Sequence, residues 1–419
     1  MILLIKLIVS LVCIVLAWRL KPLWEHSAAA TPSFRRYCLA GFILTRVGTF
    51  VMVFFVLRMG AQSDINWYYN DAKAVEGGLL PLRDFMPIYG PWFSVACALL
   101  IKIFDSPVWL VFIAIVFEFI SLPLWLKVGD RLFNPRISNL GLLLYVCSPL
   151  SLLNVPITGQ NHIWFAPFIA GGMLLLIRHQ SFLCGATVGA SILAVKLLSL
   201  IFIPPFTWAS KNRWACAAGF FCVVIPGYGW YFLQGADITK LMSFHSQHGS
   251  SGNLPFLLGM AGLDFSLPHL RSAANYIGLG LLSGLFLTAM WKKRVVTPYQ
   301  ALIFLPLLMI IVLIISKKSF ASYLECALFP LCLIGATFPS NGERVALTAI
   351  GGLAACEPSI WYRLLSNQEL AAFWDKDAAI PLPSWAYFSV AFVDVILLGS
   401  YVYLAIRLWR LTAKDRFCA

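Results

Sequence analysis

Stretches of about twenty apolar residues recur along this chain, and they constrain its fold more than any other feature does. A helix needs roughly 20 apolar residues to cross hydrocarbon about 30 Å thick, since each residue advances about 1.5 Å. In lipid a backbone satisfies its polar groups only as helices or as a closed barrel. The short alternating segments of a barrel are missing from the sequence. The expectation is an all-α polytopic membrane protein. A charged fraction of 12% and a mean hydropathy of +0.83 agree with it.

Candidate spans fall at about 2–18, 38–58, 91–104, 107–126, 140–156, 163–177, 182–206, 214–233, 275–291, 299–316, 320–338, 343–356 and 385–408, or about 12–13 transmembrane helices. The first of these reads as a retained span, because no small-residue cleavage site closes Met1 to Trp18. Arg19, Lys21, Arg35 and Arg36 mark the loop 19–37 as cytoplasmic, and Arg407, Arg410, Lys414 and Arg416 mark the tail likewise. The polar loop 59–90 then lies outside. A conflict follows, since two crossings at 91–104 and 107–126 would export the basic loop 127–139. Either one of those segments is re-entrant or broken, or 182–206 is two half-helices. The chain is expected to form a single domain over 1–419, with further polar loops at 234–274 and 357–383.

The net charge of +13 sits in short clusters between apolar runs, which fits topology and anionic lipid and gives no reason to expect nucleic acid. Most of the eleven Cys lie singly in apolar spans and no C-x-x-C pair occurs, so they read as small core residues.

The stretch Gln62 to Trp92 is the long polar interruption near the start, with four acids, two bases and five Trp/Tyr residues. Asp64 precedes a helical pattern closed by Gly77-Gly78, and its carboxylate is either a general base at the membrane surface or a helix cap. Arg83 contacts a phosphate or pairs with Asp84. Lys196 lies within an apolar run, where an ammonium costs at least ~2.5–3.5 kcal/mol, so it should face an anion or pair with Glu118, Glu325 or Asp394. Gln160, Asn161 and His162 offer the donors and acceptors that a sugar hydroxyl needs. His245 and His248 could hold a phosphate, a sugar or a metal, or simply be solvated.

The order D-x-N-x-x-Y…G-G-x-x-P-x-R-D-F-x-x-x-Y-G-P between Asp64 and Pro91 resembles the first external loop of the GT-C superfamily of glycosyltransferases. It is most similar to the polyprenyl-phosphate-mannose-dependent mannosyltransferases. Leu82 stands where tyrosine is usual, Gly90 where a proline variant occurs, and Asn66 where some relatives carry a second acid. The resemblance continues through Gly159-Gln160-Asn161-His162, through Gly185 to Pro205 with Lys196, and through Ser316-Lys317-Lys318 with Tyr323 and Pro330.

This resemblance implies an inverting transfer of a hexose, mannose favoured, from a polyprenyl-phosphate-linked sugar to a hydroxyl of a glycan or glycolipid acceptor at the outer side of a bacterial inner membrane. Asp64 would be the base. Substrate would be held by Asn66, Tyr68, Asp71, Arg83, Asp84, Tyr89, Gln160, Asn161, His162, Lys196, His245, His248, Asn253, Lys317, Lys318 and Tyr323. A phosphate ester leaves readily at neutral pH, so the paired carboxyls of glycoside hydrolysis are not required. No cofactor is expected, and a divalent metal stays open. A transporter or lipid-linked sugar flippase is the competing expectation, although no internal repeat supports it.

Overall fold

The computed structural model describes residues 2–25, 27–61, 64–87, 89–237, 239–240, 249–263, 267–364 and 384–413. Among these the regular elements are helices, and one isolated bridge joins Pro81 and Phe85. Several helices begin where a capping side chain precedes a proline that presets φ. Thr31, Ser106, Asn134 and Thr297 each accept a hydrogen bond from an amide two or three residues on.

Contacts sort the helix ends into two faces. The chain runs through α1 (Ile2–Arg19), the short α2 (Lys21–Glu25) and α3 (Pro32–Val51, prolonged by a π turn to Val56) to α4 (Ile65–Glu76). Next, α5 (Pro91–Ile101) has only 11 residues. It does not cross, because Asp105 just beyond it accepts hydrogen bonds of 2.8 Å from both Tyr69 and Lys73 of α4. The crossing is made by α6 (Pro107–Leu132), near whose end Asp130 is gripped by Arg35 at 2.7 and 2.9 Å. The loops 19–37 and 127–139 therefore share one face, and the charge conflict disappears.

The chain returns through α7 (Pro135–Val146) and α8 (Pro149–Asn154), then descends through a 3₁₀ turn, Asn161–Phe165, and α9 (Ala166–Ile177). It climbs again in α10 (Ser181–Ala194), which stops at an extended Lys196 with φ −167° and ψ 165°. A second 3₁₀ turn, Leu197–Phe202, and α11 (Ile203–Ala209) lead back down. There the Asn212 amide donates to Ser181 Oγ at 3.2 Å, so 182–206 is two half-helices. The remaining legs are α12 (Arg213–Leu233), the short α13 (Leu254–Met260), α14 (Pro268–Trp291), α15 (Pro298–Ile315), α16 (Leu328–Gly335), α17 (Asn341–Leu364) and α18 (Ser384–Leu411). Among the described residues six helices are long and apolar enough to cross unbroken: Pro32–Val56, Pro107–Leu132, Arg213–Leu233, Ser272–Trp291, Pro298–Ile315 and Phe388–Leu411. Of the other expected crossings, 2–18 falls in the 18-residue α1 and 343–356 in the 24-residue α17, and the rest are divided among shorter or broken helices. At the centre lies α15, most of its residues buried.

Without a hydrophobic drive between helices in lipid, close contact comes from small residues and buried polar bonds. A Cβ at Gly185 would stand 1.8 Å from the Cys216 carbonyl, and one at Gly219 would stand 2.0 Å from that of Phe182, so α10 and α12 touch backbone to backbone. Between α3, α6 and α7, the buried Arg46 pairs with Glu118 at 3.3 Å and donates to the carbonyls of Tyr145 and Val146 and to Ser151 Oγ. Those carbonyls sit just before Pro149, which has no N–H with which to continue the ladder. Glu118 also accepts from Tyr145 and Ser151.

Candidate active site

Asp64 occupies the N-cap position of α4, yet its side chain makes no cap bond there. Its Oδ2 instead accepts a hydrogen bond from the Tyr89 hydroxyl at 2.6 Å. Tyr68, one turn into α4, donates to the Tyr89 oxygen at 3.4 Å. The rings of Tyr68, Tyr89 and Phe93 pack edge to face with centroids 5.1–5.6 Å apart. Beyond Tyr89 the Gly90 amide donates to the Val195 carbonyl at 3.3 Å, which ties the polar loop to the break in α10.

That break delivers Lys196. Its Nζ lies 2.9 Å from His162 Nε2, 4.2 Å from the centroid of the Tyr323 ring and 5.1 Å from that of Tyr89. An ammonium is a donor only, so Nε2 must be the acceptor, and the neutral ring then carries its proton on Nδ1. Nδ1 is buried without a hydrogen-bond partner among the described residues, and so are both amide atoms of Asn161 and both carboxylate oxygens of Glu325. A buried polar group left unpaired costs about 1–3 kcal/mol, and five such atoms lie on Lys196's partner His162, on the adjacent Asn161 and on Glu325.

Lys196 forms no ion pair with Glu118, Glu325 or Asp394 among the described residues. Glu118 serves Arg46, Asp394 accepts from the Gly252 amide, and Glu325 is an electrostatic neighbour of Lys196 without a bond to it. Gly159, at φ +55°, makes the turn that presents Gln160 to His162. A side chain there would also strike Ile65. Gln160 is nearly buried and its amide donates to Asn154 O.

The other expected residues lie around this centre in different states. Ser250 donates its amide to the Lys317 carbonyl and accepts from the Ser319 amide, each at 2.8 Å, bracing the turn that carries Lys317 and Lys318. Lys318 is an electrostatic neighbour of Asp64. Asn253 spends its side chain on Ser250, Ser251, Lys317 and the amide of Phe256, as the cap of α13. Asn66 is exposed and donates weakly to Ala61, and the half-buried Asp71 faces Cys97. Arg83 and Asp84 pair with one another at 2.8 and 2.9 Å. The Arg83 guanidinium and then the Leu80 amide hold the Asp84 carboxyl down at about 2, so this exposed latch is complete above the ordinary carboxylate range and fades as pH falls towards that value. Leu82, at φ +68°, is buried against Tyr231 and Ala236, and its carbonyl accepts from the Asp237 amide. His245 and His248 lie outside the described residues. Among the described residues no three His, Cys, Asp or Glu side chains gather as a metal site would require.

Sequence reasoning missed the Tyr89 hydroxyl as the partner of Asp64 and the Ser250–Ser319 brace, and it treated Glu325 only as a counterion. The first was hidden because 25 residues separate the partners.

No family of known sequences matches the chain, and no curated protein does. Solved structures do. The crystal structure of ArnT from Cupriavidus metallidurans bound to undecaprenyl phosphate superposes with a TM-score of 0.52 at 12% identity, over 93% of this chain and 78% of that one. The apo oligosaccharyltransferase of Archaeoglobus fulgidus matches at 0.37 and 12% identity over 90% of this chain, which spans 56% of that protein's length. The present chain has the GT-C-like fold that ArnT displays.

Proposed function

We propose that this chain is a glycosyltransferase that moves a hexose, with mannose favoured, from a polyprenyl-phosphate-sugar to an acceptor hydroxyl, inverting the anomeric centre, with Asp64 as general base. The observation that carries this reading is the pairing of an uncapped carboxylate with a caged ammonium through one side chain, Tyr89. The undecaprenyl phosphate of the ArnT structure supports the donor class, and the resemblance of the Asp64–Pro91 loop supports the sugar. The cation-rich loops at the opposite face support a reaction on the outer side.

In this mechanism the acceptor O–H gives its proton to Asp64 as its oxygen attacks the anomeric carbon. The bond from that carbon to the phosphate oxygen breaks, and the phosphate leaves with the electron pair. Lys196, with Lys318 nearby, stabilises the charge that grows on it. His162 and the two tyrosine rings fix the ammonium beforehand, so that little reorganisation is needed as the bond breaks. Asn161 and the Nδ1–H of His162 would bind sugar hydroxyls.

Purified protein incubated with polyprenyl-phosphate hexoses and a membrane lipid extract should yield a lipid or glycan heavier by one hexose. Asp64→Asn should lower turnover by about 10²–10⁴-fold while the fold persists. Undiminished transfer by Asp64→Asn would sink the base assignment. Transport of intact donor without any glycosyl product would favour a flippase.

A further inference from the structure

The end of the bundle opposite Asp64 carries a basic cleft that the reaction does not use. The α9–α10 loop and the α11–α12 loop meet there, joined by the bond from Asn212 to Ser181. Between them is a cleft of about 580 Å³ whose lining includes His179, Ser181, Ser210, Lys211, Arg213 and Trp214 and contains no acid. His179, Lys211 and Arg213 are exposed. The Arg213 guanidinium lies 3.8 Å from the centroid of the Trp208 ring, and its N–H groups have no acceptor among the described residues. Stacking of this kind fixes the plane of the fork while leaving its edge free, the arrangement that suits a phosphate oxygen pair.

Two further facts choose the ligand. Trp214 is 86% exposed, and an indole so placed on a membrane protein sits at the headgroup level. The 14 residues of α10, about 21 Å of helix, separate Ser181 from the break at Lys196, so the cleft belongs to the other leaflet. Charge at that level meets anionic lipid, which collects on the cytoplasmic side.

We propose that this cleft binds the phosphodiester head group of an anionic phospholipid, with Arg213 and Lys211 on the phosphate and Trp214 among the acyl-chain carbons next to it. The test is native mass spectrometry of the full chain released from vesicles of mixed phosphatidylglycerol and phosphatidylcholine. The wild-type chain should retain phosphatidylglycerol selectively. The Lys211→Gln, Arg213→Gln double variant should lose about 30-fold in that retention, whereas Lys292→Gln, Lys293→Gln at another basic loop of the same face should change it little. Equal loss in both variants would reduce the effect to general surface charge and overturn the site. Full displacement of the lipid by millimolar inorganic phosphate would overturn it in favour of a soluble anion. If the double variant fails to fold, Lys211→Gln alone, whose side chain is exposed, should give about a fivefold loss, and no loss would overturn the proposal.

Discussion

Tyr89 does two jobs with two parts of one side chain. Its hydroxyl holds Asp64, and its ring faces the Lys196 ammonium. The two can be separated experimentally. Tyr89→Phe keeps the ring and removes one hydrogen bond to a charged acceptor, so kcat should fall about 10-fold with KM nearly unchanged. Tyr89→Ala removes both, and KM for a phosphate-linked donor should rise as well. Steady-state kinetics on the two variants checks this, and equal effects on KM would mean that the ring contributes nothing to donor binding. Asp64 and Lys196 could each be singled out in the sequence, since one opens a helix in a polar loop and the other interrupts an apolar run. Their pairing could not, although the sequence named His162, Tyr89 and Tyr323 as expected substrate contacts. His162, Tyr89 and Tyr323 come from three distant segments, and no local pattern announces which rings will surround an ammonium.

At the level of elements, glycine and arginine fix the packing. Gly185→Ala places a methyl group inside a carbonyl of the neighbouring helix, so α10 and α12 must part. Folded protein recovered in detergent should drop severely, whereas Gly229→Ala, which meets nothing within 4 Å, should be recovered normally. Arg46→Met leaves Glu118 buried without its cationic partner and removes the donor to Ser151 Oγ and to the Val146 carbonyl. Thermal unfolding should show a loss of about 3–5 kcal/mol. Hydropathy located most of these helices because apolar length is a local property. It raised the possibility that one of 91–104 and 107–126 turns back but could not say which, since an 11-residue apolar helix reads like half of a crossing until Asp105 is seen bonded to α4. It did raise the split in 182–206, and the Lys196 backbone explains the split. An extended residue cannot continue a helix, and its side chain is the one that needs a polar neighbourhood.

For the whole molecule, the contacts predict a sidedness that labelling can read. Single cysteines at Lys73 and Arg83 should react with an impermeant thiol reagent from the same side, and cysteines at Lys127 and Lys292 from the other, in a background freed of Cys222, exposed among the described residues, and of Cys418. Labelling of Arg83 and Lys127 from one side would refute the return of α5. The tight join of α10 and α12 has a further consequence for traffic. Helices whose backbones touch leave no slit wide enough for a hydrocarbon tail, so this flank is a sealed wall along the length of α10. A substrate that keeps its isoprenoid chain in the bilayer while its head reaches Lys196 has to slip in through another gap, and widening glycine positions on this wall would not open a shorter route.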